Sequence, residues 1–276
     1  MGARIPPKGG TTNSVPPARG MNLSTTHALV RLPSRSLAAC ELVHLPRQEI
    51  DFARATSQHR SYVAALASAG VTVTTLPKIP NLPDAVFLED VVLILDEVAI
   101  LCRPGAASRL AEVELIKPKI IGLRPTLEIR APGTLEGGDV LRVGHTLFVG
   151  RSTRTNREGI QQLRQCVAPF GYAVKEVPVT GCLHLKTGVT SPTEGVLLAN
   201  PGWIDVTDFG RYEILRVPAA EPWGANTLPL NGRVLVAASA PRTADLLTAR
   251  SLDVHRVDIS ELQKAEAGLT CLSVIY

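Results

Sequence analysis

The sequence predicts an α/β protein built as a closed ring of about five ββαβ modules. The first observation is a β-hairpin pattern that recurs about every 40 to 50 residues, because evenly recurring units of this size indicate a ring or an array. The second is a strand–helix–strand order that is repeated between the hairpins. One helix per unit favours separate modules over a single open sheet.

Four hairpins carry the repeat, and each consists of two apolar, β-prone runs joined by a short turn. They are predicted at residues 89–101, 138–150, 187–200 and 225–238. The last contains Asn231-Gly232, the strongest short hairpin signal. We expect a fifth module to be closed when the C-terminal strand around Cys271 pairs with a strand at 27–32.

The connections between hairpins contain the predicted helices. A helix at 48–69 stops at Gly70, and a Ser/Thr-x-x-Glu pattern beginning at Thr155 predicts a second helix to about 169. Thr243 is predicted to cap a third helix that runs through 252. The strands that follow these helices are predicted at 71–76, 173–179 and 254–257.

A polar residue opens the first strand of each hairpin, and a polar or small residue closes the second strand thirteen positions later. The pairs are Asp90/Arg103, Asp139/Ser152, Thr187/Asn200 and Asn226/Ser239. Because the strand openings of a ring converge on its axis, these side chains predict a polar binding site there.

Composition excludes several classes of function. The 276 residues are 45% hydrophobic and 20% charged, as in soluble globular proteins. The net charge is +4, and the positive residues are scattered along the chain, which argues against a nucleic-acid partner. The absence of 18 consecutive apolar residues argues against a membrane span.

Five cysteines with no C-x-x-C pair indicate reduced thiols in the cytoplasm. Cys182 and His184 alone make a weak zinc signal, so we expect no metal and no cofactor.

Residues 1–20 contain much proline, glycine, serine and threonine, no acidic residue and no apolar signal-peptide core. These features predict a disordered extension, with one catalytic domain at 21–276. Met21 is a second candidate for the start of the chain.

The chemistry-bearing residues are a thiol, an imidazole and several acids: Cys271, His184, Asp84, Glu89, Asp90 and Glu136. A thiolate is the useful nucleophile, and His184 can donate and then accept a proton. Carboxylates around a thiol raise its pKa unless a cationic substrate offsets them, which points to a guanidinium. Arg103 and Arg154 suit an α-carboxylate, so the expected substrate is an arginine.

Six motifs resemble those of the dimethylarginine dimethylaminohydrolases, members of the guanidine-modifying superfamily. They are PDAVFLED at 83–90, RPGAASR at 103–109, GTLEGGD at 133–139, RTN at 154–156, LHLKTG at 183–188 and TCLS at 270–273. The resemblance covers about residues 27–276 and implies a five-bladed α/β-propeller with pseudo-fivefold symmetry, the pentein fold.

The resemblance also implies how each residue acts. Cys271 would attack the guanidino carbon, His184 would act as general acid and then base, and Glu136 would orient the guanidinium and support His184. The implied binding residues are Asp90 and Glu89 for the guanidinium, Arg103 and Arg154 for the α-carboxylate, and Asp84 with backbone groups of Leu42 and Ala265 for the α-amino end. The loop at 33–46 would form a lid that excludes water.

The sequence departs from the family pattern before the nucleophile, where an acid and a glycine are usual and Glu266 and Ala267 stand here. Alanine adopts positive φ less easily than glycine, so the loop geometry there is expected to differ. The alternatives are an arginine deiminase, an amidinotransferase or a catalytically silent binding protein. Lys186 stands where the first two classes carry an aspartate, which favours a methylarginine hydrolase. The expected products are citrulline and a methylamine. The sequence does not fix the oligomeric state, and a homodimer is one possibility.

Overall fold

The computed structural model describes residues 27–276. The extension predicted at 1–20 and the second start at Met21 lie outside the described residues. The described chain contains five three-stranded sheets. The strands are β1 His27–Arg31, β2 Thr72–Leu76, β3 Val92–Ile94, β4 Ala99–Leu101, β5 Thr126–Glu128, β6 Val140–Val143, β7 Thr146–Arg151, β8 Ala173–Pro178, β9 Val189–Thr193, β10 Val196–Ala199, β11 Glu213–Arg216, β12 Leu228–Leu230, β13 Arg233–Ala237, β14 Asp253–Val257 and β15 Ser273–Ile275.

The α-helices of this part of the chain are α1 Phe52–Ser68, α2 Leu110–Ile120, α3 Arg157–Val167, α4 Leu185–Gly188, α5 Pro241–Thr248 and α6 Ser260–Gln263. Four of them, α1, α2, α3 and α5, connect the second and third strands of a sheet. No helix between residues 27 and 276 combines the length and the apolar character that a membrane crossing demands.

Every sheet has the same internal order. Two strands form an antiparallel hairpin, and a third strand lies parallel to the second strand of that hairpin. The hairpin between β12 and β13 turns at Asn231 and Gly232, whose φ angles of 47° and 88° are both left-handed. Two left-handed residues are what a tight two-residue turn requires. The four predicted hairpins are therefore confirmed.

The two ends of the described chain meet in one sheet. β15 pairs antiparallel with β1, placing Leu29 opposite Val274, and β2 runs parallel to β1 on its other side. A sheet that combines both ends of the described chain closes the ring, so the predicted fifth module is confirmed.

The first strands of all five hairpins line one cavity of about 260 Å³, which we call the axial cavity. Its lining includes Val92 of β3, Val140 of β6, Thr190 of β9, Leu228 of β12 and Val274 of β15. The ring therefore converges on an axis, as expected of a five-bladed α/β-propeller.

The helix α3 shows how a module packs. Asn156 caps it, because its side-chain oxygen accepts from the Gly159 N–H at 2.8 Å. Ile160, Leu163 and Val167 recur at helical spacing and are buried against the apolar face of the β6–β7 hairpin. The cap lies one residue beyond the predicted Thr155.

Two predictions of connecting elements are wrong, and one helix was not predicted. Thr243 does not cap α5, which begins at Pro241; the Glu221 carboxylate accepts from the Arg242 and Thr243 N–H groups at 2.8 and 2.7 Å. The third module has only a 3₁₀ turn, Val206–Phe209, where a helix was expected. The helix α2, which contains Pro118, was not among the three helices predicted from the sequence.

Candidate active site

Cys271 lies in a 3₁₀ turn, Thr270–Leu272, directly before β15. The thiol is buried, and the Gly268 N–H donates to its Sγ at 3.3 Å. The Asn226 side chain supports this turn, because its Oδ1 accepts from the Thr270 N–H at 3.2 Å. A Cβ on Gly268 would lie 2.3 Å from Asn226, so only glycine permits this approach.

His184 lies before α4 and contributes its imidazole from another module. Its Nε2 is 2.6 Å from Glu136 Oε2, and the other oxygen of Glu136 accepts from the Gly105 N–H at 3.0 Å. Asp139 accepts from the Leu185 N–H at 2.9 Å and from Ser152 Oγ at 2.6 Å. Asp139 therefore holds the backbone next to His184.

One small cavity of about 20 Å³ connects the thiol and the imidazole, and we call it the catalytic cavity. It is lined by Glu41, Asp84, Phe87, Asp90, Arg109, Arg154, Leu183, His184, Ala265, Glu266, Ala267 and Cys271. A cavity of this size holds a water molecule. An amino acid therefore enters only if part of the wall moves.

Six of the predicted site residues line the catalytic cavity: Cys271, His184, Asp84, Asp90, Arg154 and Ala265. Glu136 lies behind His184, and Arg154 Nη1 is 3.6 Å from its Oε1. The thiol, the imidazole and these acids are thus brought together from separate modules.

Three predicted residues do not line this cavity. Glu89 faces the axial cavity, where its carboxylate contacts Lys186 Nζ at 2.5 Å and Thr270 Oγ1 at 2.7 Å. Arg103 directs Nη1 toward the Gly133 carbonyl at 3.5 Å, and Leu42 is half-buried against the core. Their assignments to substrate stay predictions.

The carboxylates control the charge of the imidazole. Burial alone would lower the pKa of His184, but the charge of Asp90 and the hydrogen bond to Glu136 outweigh burial and raise the pKa to about 9. Near neutral pH His184 is therefore protonated and can donate a proton.

The surroundings of Cys271 favour the uncharged form of its thiol, whereas those of His184 favour the charged imidazole. Burial, followed by the negative charges of Glu89 and Asp90, raises the pKa of Cys271 far above its usual value. Burial also raises the pKa of Asp84 to about 6. The site thus favours the protonated thiol, and a cation placed beside Cys271 would favour the thiolate instead.

The sequence left Arg109 without a function. Its buried guanidinium contacts Asp90 Oδ2 at 2.6 Å and Glu112 Oε2 at 2.9 Å. Burial would raise the pKa of Asp90, but the positive charges of His184 and Arg109 keep it below its ordinary value. The only signal was the position of Arg109 in the RPGAASR motif.

Within residues 27–276, one group of side chains could hold a metal ion: Asp90, Glu136 and His184, whose ligand atoms lie within 4.8 Å of one another. Glu136 and Asp90 already contact His184 and Arg109, respectively. The donors are therefore used within the site, and we assign no metal to them.

The left-handed residue before the nucleophile is Glu266, with a φ of 57°, and Ala267 does not have positive φ. The alanine that departs from the family pattern is therefore accommodated without strain. Glu266 itself lines the catalytic cavity, and no function had been predicted for it.

Comparison with known proteins agrees with this geometry. A family profile described as N,N dimethylarginine dimethylhydrolase, eukaryotic, matches residues 43–187. The N(G),N(G)-dimethylarginine dimethylaminohydrolase of Streptomyces coelicolor is 41% identical over 90% of this chain and 95% of the relative. The Pseudomonas aeruginosa protein of the same name is 36% identical over 91% of this chain and 99% of its own.

Solved structures give the same result. A mutant of the Pseudomonas aeruginosa protein complexed with citrulline superposes with a TM-score of 0.88 at 35% identity. That match covers 92% of this chain and 100% of the other. The chain belongs to the dimethylarginine dimethylaminohydrolase family.

Proposed function

We propose that the protein hydrolyses Nω-methylated arginines, asymmetric dimethylarginine and monomethylarginine, to citrulline and dimethylamine or methylamine. The observation that carries the proposal is the catalytic cavity, where the buried Cys271 thiol and the His184–Glu136 pair meet. A cationic substrate explains why acids surround a nucleophilic thiol.

Substrate binding is assigned by charge. Asp90 lines the cavity and would bind the guanidinium, with Glu89 adding negative charge from the axial side. Arg154 would hold the α-carboxylate, and Arg103 would join it when its side chain turns from Gly133. Asp84 and Ala265 line the cavity and would lie near the α-amino group. The backbone of Leu42, which does not line the cavity, is assigned to the same group.

The first half of the reaction forms a covalent intermediate. A bound guanidinium lowers the pKa of Cys271, the thiol gives its proton to solvent water, and Sγ attacks the guanidino carbon. Protonated His184 then donates its proton to the methylated nitrogen, and the C–N bond breaks. The amine leaves, and an alkylthiouronium remains on Cys271.

The second half reverses the proton transfer. Neutral His184, oriented by its contact with Glu136 at 2.6 Å, takes a proton from water. The oxygen bonds to the thiouronium carbon, the C–S bond breaks, and the hydroxyl proton passes to the departing thiolate. Citrulline leaves and the thiol is regenerated. One histidine therefore serves as acid and then as base, without a cofactor.

The proposal is tested by measuring citrulline release from asymmetric dimethylarginine, monomethylarginine and arginine, with Cys271→Ser as the blank. We expect turnover of the methylated substrates, little turnover of arginine, and a loss of at least about 10³-fold in Cys271→Ser. Preferred turnover of arginine would assign the protein to the deiminases. A folded protein that releases citrulline from none of the three substrates would favour a binding function.

Cellular location and assembly are part of the same proposal. All five cysteines are free thiols, which suits the reducing cytoplasm. Fractionation of cells tests that location, with the protein expected among cytoplasmic enzymes. Light scattering tests a homodimer, whose mass would be twice the 29.5 kDa of the chain.

A further inference from the structure

The loop at residues 33–46, which we expect to act as a lid and call the lid loop, contributes Glu41 to the wall of the catalytic cavity and is held by acidic side chains. One oxygen of Glu266, Oε1, accepts from the backbone N–H groups of Val43, His44 and Leu45 at 3.0, 2.5 and 2.6 Å. Asp84 accepts from the Glu41 N–H at 3.2 Å. Four N–H groups of the lid loop therefore end on two cavity carboxylates.

The backbone conformation of Glu266 indicates that its side chain is required. Glu266 lies just beyond α6 with a φ of 57°, a position where glycine or asparagine is usual. Glutamate is disfavoured there because its Cβ crowds the backbone. The convergence of three lid N–H groups on its carboxylate gives the compensating interaction.

The second carboxylate oxygen of Glu266, Oε2, makes no hydrogen bond within the described residues. Among the described residues, Oε2 is buried and has no hydrogen-bond partner, although Glu266 lines the catalytic cavity. A buried carboxylate oxygen without a donor is rare, and it calls for one. An α-amino-acid substrate would bring an ammonium group, a strong donor, to this end of the cavity.

We propose that Glu266 couples lid closure to recognition of the substrate's ammonium group. Oε1 clamps the lid loop, and Oε2 receives the ammonium, so one carboxylate binds both. The ammonium contact rests on the proposed function, whereas the clamp rests on the hydrogen bonds between Glu266 and the lid loop alone. An acid at this position then selects free amino acids over guanidino compounds that lack the α-amino group.

The clamp is tested by hydrogen exchange of residues 41–46 in wild type, Glu266→Gln and Glu266→Ala. We expect exchange at Val43, His44 and Leu45 to be at least about tenfold faster in both variants. Asp205→Asn is the control, because Asp205 accepts from the Thr207 N–H at 2.9 Å and lines neither the catalytic cavity nor the cavity that Leu45 shares with Glu221. Unchanged lid exchange in Glu266→Ala would overturn the clamp.

The ammonium contact is tested by calorimetry with citrulline and with des-amino citrulline, in which hydrogen replaces the ammonium group. We expect wild type to prefer citrulline by at least about 100-fold, and Glu266→Gln to reduce that preference at least about tenfold. Glu266→Asp should recover part of it. An unchanged preference in Glu266→Gln would overturn the contact.

The two measurements separate the two proposals. Wild-type protein that binds neither ligand would contradict both the proposed function and the ammonium contact. The exchange experiment needs no ligand and decides the clamp in that case. Citrulline binding without any effect of Glu266→Gln on preference or exchange would leave the proposed function standing and overturn the coupling alone.

Discussion

His184 holds its proton more tightly than a free imidazole, and this has consequences for both activity and stability. Burial opposes the charge, but Asp90, Glu136 and Asp139 together raise the pKa to about 9 from 6.5. The protonated form is the one that can donate to a departing amine. The carboxylates around His184 therefore set the pH range in which the proposed acid works.

We expect kcat for asymmetric dimethylarginine to fall tenfold per pH unit above the pKa of His184 in the substrate complex, which the bound guanidinium sets below the free-protein value of about 9, because His184 then loses the proton that the leaving amine needs. A pH–rate profile under saturating substrate measures this limb. A kcat that stays constant to pH 10.5 would remove His184 as the acid.

The free energy of unfolding should also depend on the protonation of His184. The pKa of His184 is raised on folding, so its contribution is fully present below 6.5 and is lost as the pH rises through about 9. Urea unfolding of wild type and His184→Gln at pH 6 and pH 10 measures it. The difference in free energy of unfolding between wild type and His184→Gln should be smaller at pH 10 than at pH 6. An equal difference at both pH values would contradict a stabilising contribution from protonated His184.

Gly138 lets the Asp90 carboxylate and the His184 imidazole lie close to each other. A Cβ at this position would lie 2.7 Å from His184 Nδ1 and 2.8 Å from Asp90 Oδ1. We expect Gly138→Ala to displace both side chains and to lower kcat by about 100-fold, since small displacements of reacting groups are costly. Citrulline release measures this. Gly122→Ala is the control, because nothing lies within 4 Å of that added Cβ; a kcat within twofold of wild type in Gly138→Ala would contradict it.

Residue types predicted the chemistry of the site better than the direction of each side chain. Glu89 and Asp90 are neighbours in one 3₁₀ turn, Leu88–Val91, yet Asp90 lines the catalytic cavity and Glu89 the axial cavity. Sequence gives no sign of which neighbour faces which way in an irregular turn. Long-range partners such as Lys186 for Glu89 decide it after folding.

At the scale of elements, α3 shows how a module is stabilised. Leu163 is fully buried between the helix and the β6–β7 hairpin. We expect Leu163→Ala to lower the free energy of unfolding by about 2–5 kcal/mol, from lost transfer energy and a residual cavity. Chemical denaturation measures it. Gln165→Ala, exposed on the same helix, should change stability by less than about 0.5 kcal/mol; equal losses in both variants would contradict the packing argument.

Helix ends were predicted less well than hairpins, and the cause is physical. Hairpin turns such as Asn231-Gly232 depend on two adjacent residues, so local sequence determines them. The N-terminus of α5 is satisfied instead by Glu221, which lies about 20 residues earlier in the chain. A cap that comes from a distant residue leaves no local pattern, and Thr243 was chosen wrongly for that reason.

At the scale of the whole molecule, the ring closes through the two ends of the described chain. Periodicity was sufficient to predict this closure, because four visible hairpins leave one module that only the terminal strands can complete. Leu29 of β1 and Val274 of β15 are cross-strand partners, and both are buried in an apolar cluster with Leu88 and Val91 of the next module. The closing strands therefore stabilise more than their own sheet.

We expect Val274→Asp to unfold the ring as a unit, because it buries an unpaired charge at the closure. The predicted loss is about 3 kcal/mol or more. Trp203 and Trp223, whose rings lie 4.9 Å apart, report from segments between β10 and β12 that are distant in sequence from Val274. Denaturation followed by tryptophan fluorescence and by circular dichroism should show the same shift in midpoint. Thr75→Asp, exposed on β2 of the same sheet, should leave both midpoints in place; a fluorescence midpoint unmoved by Val274→Asp would mean that the modules unfold independently.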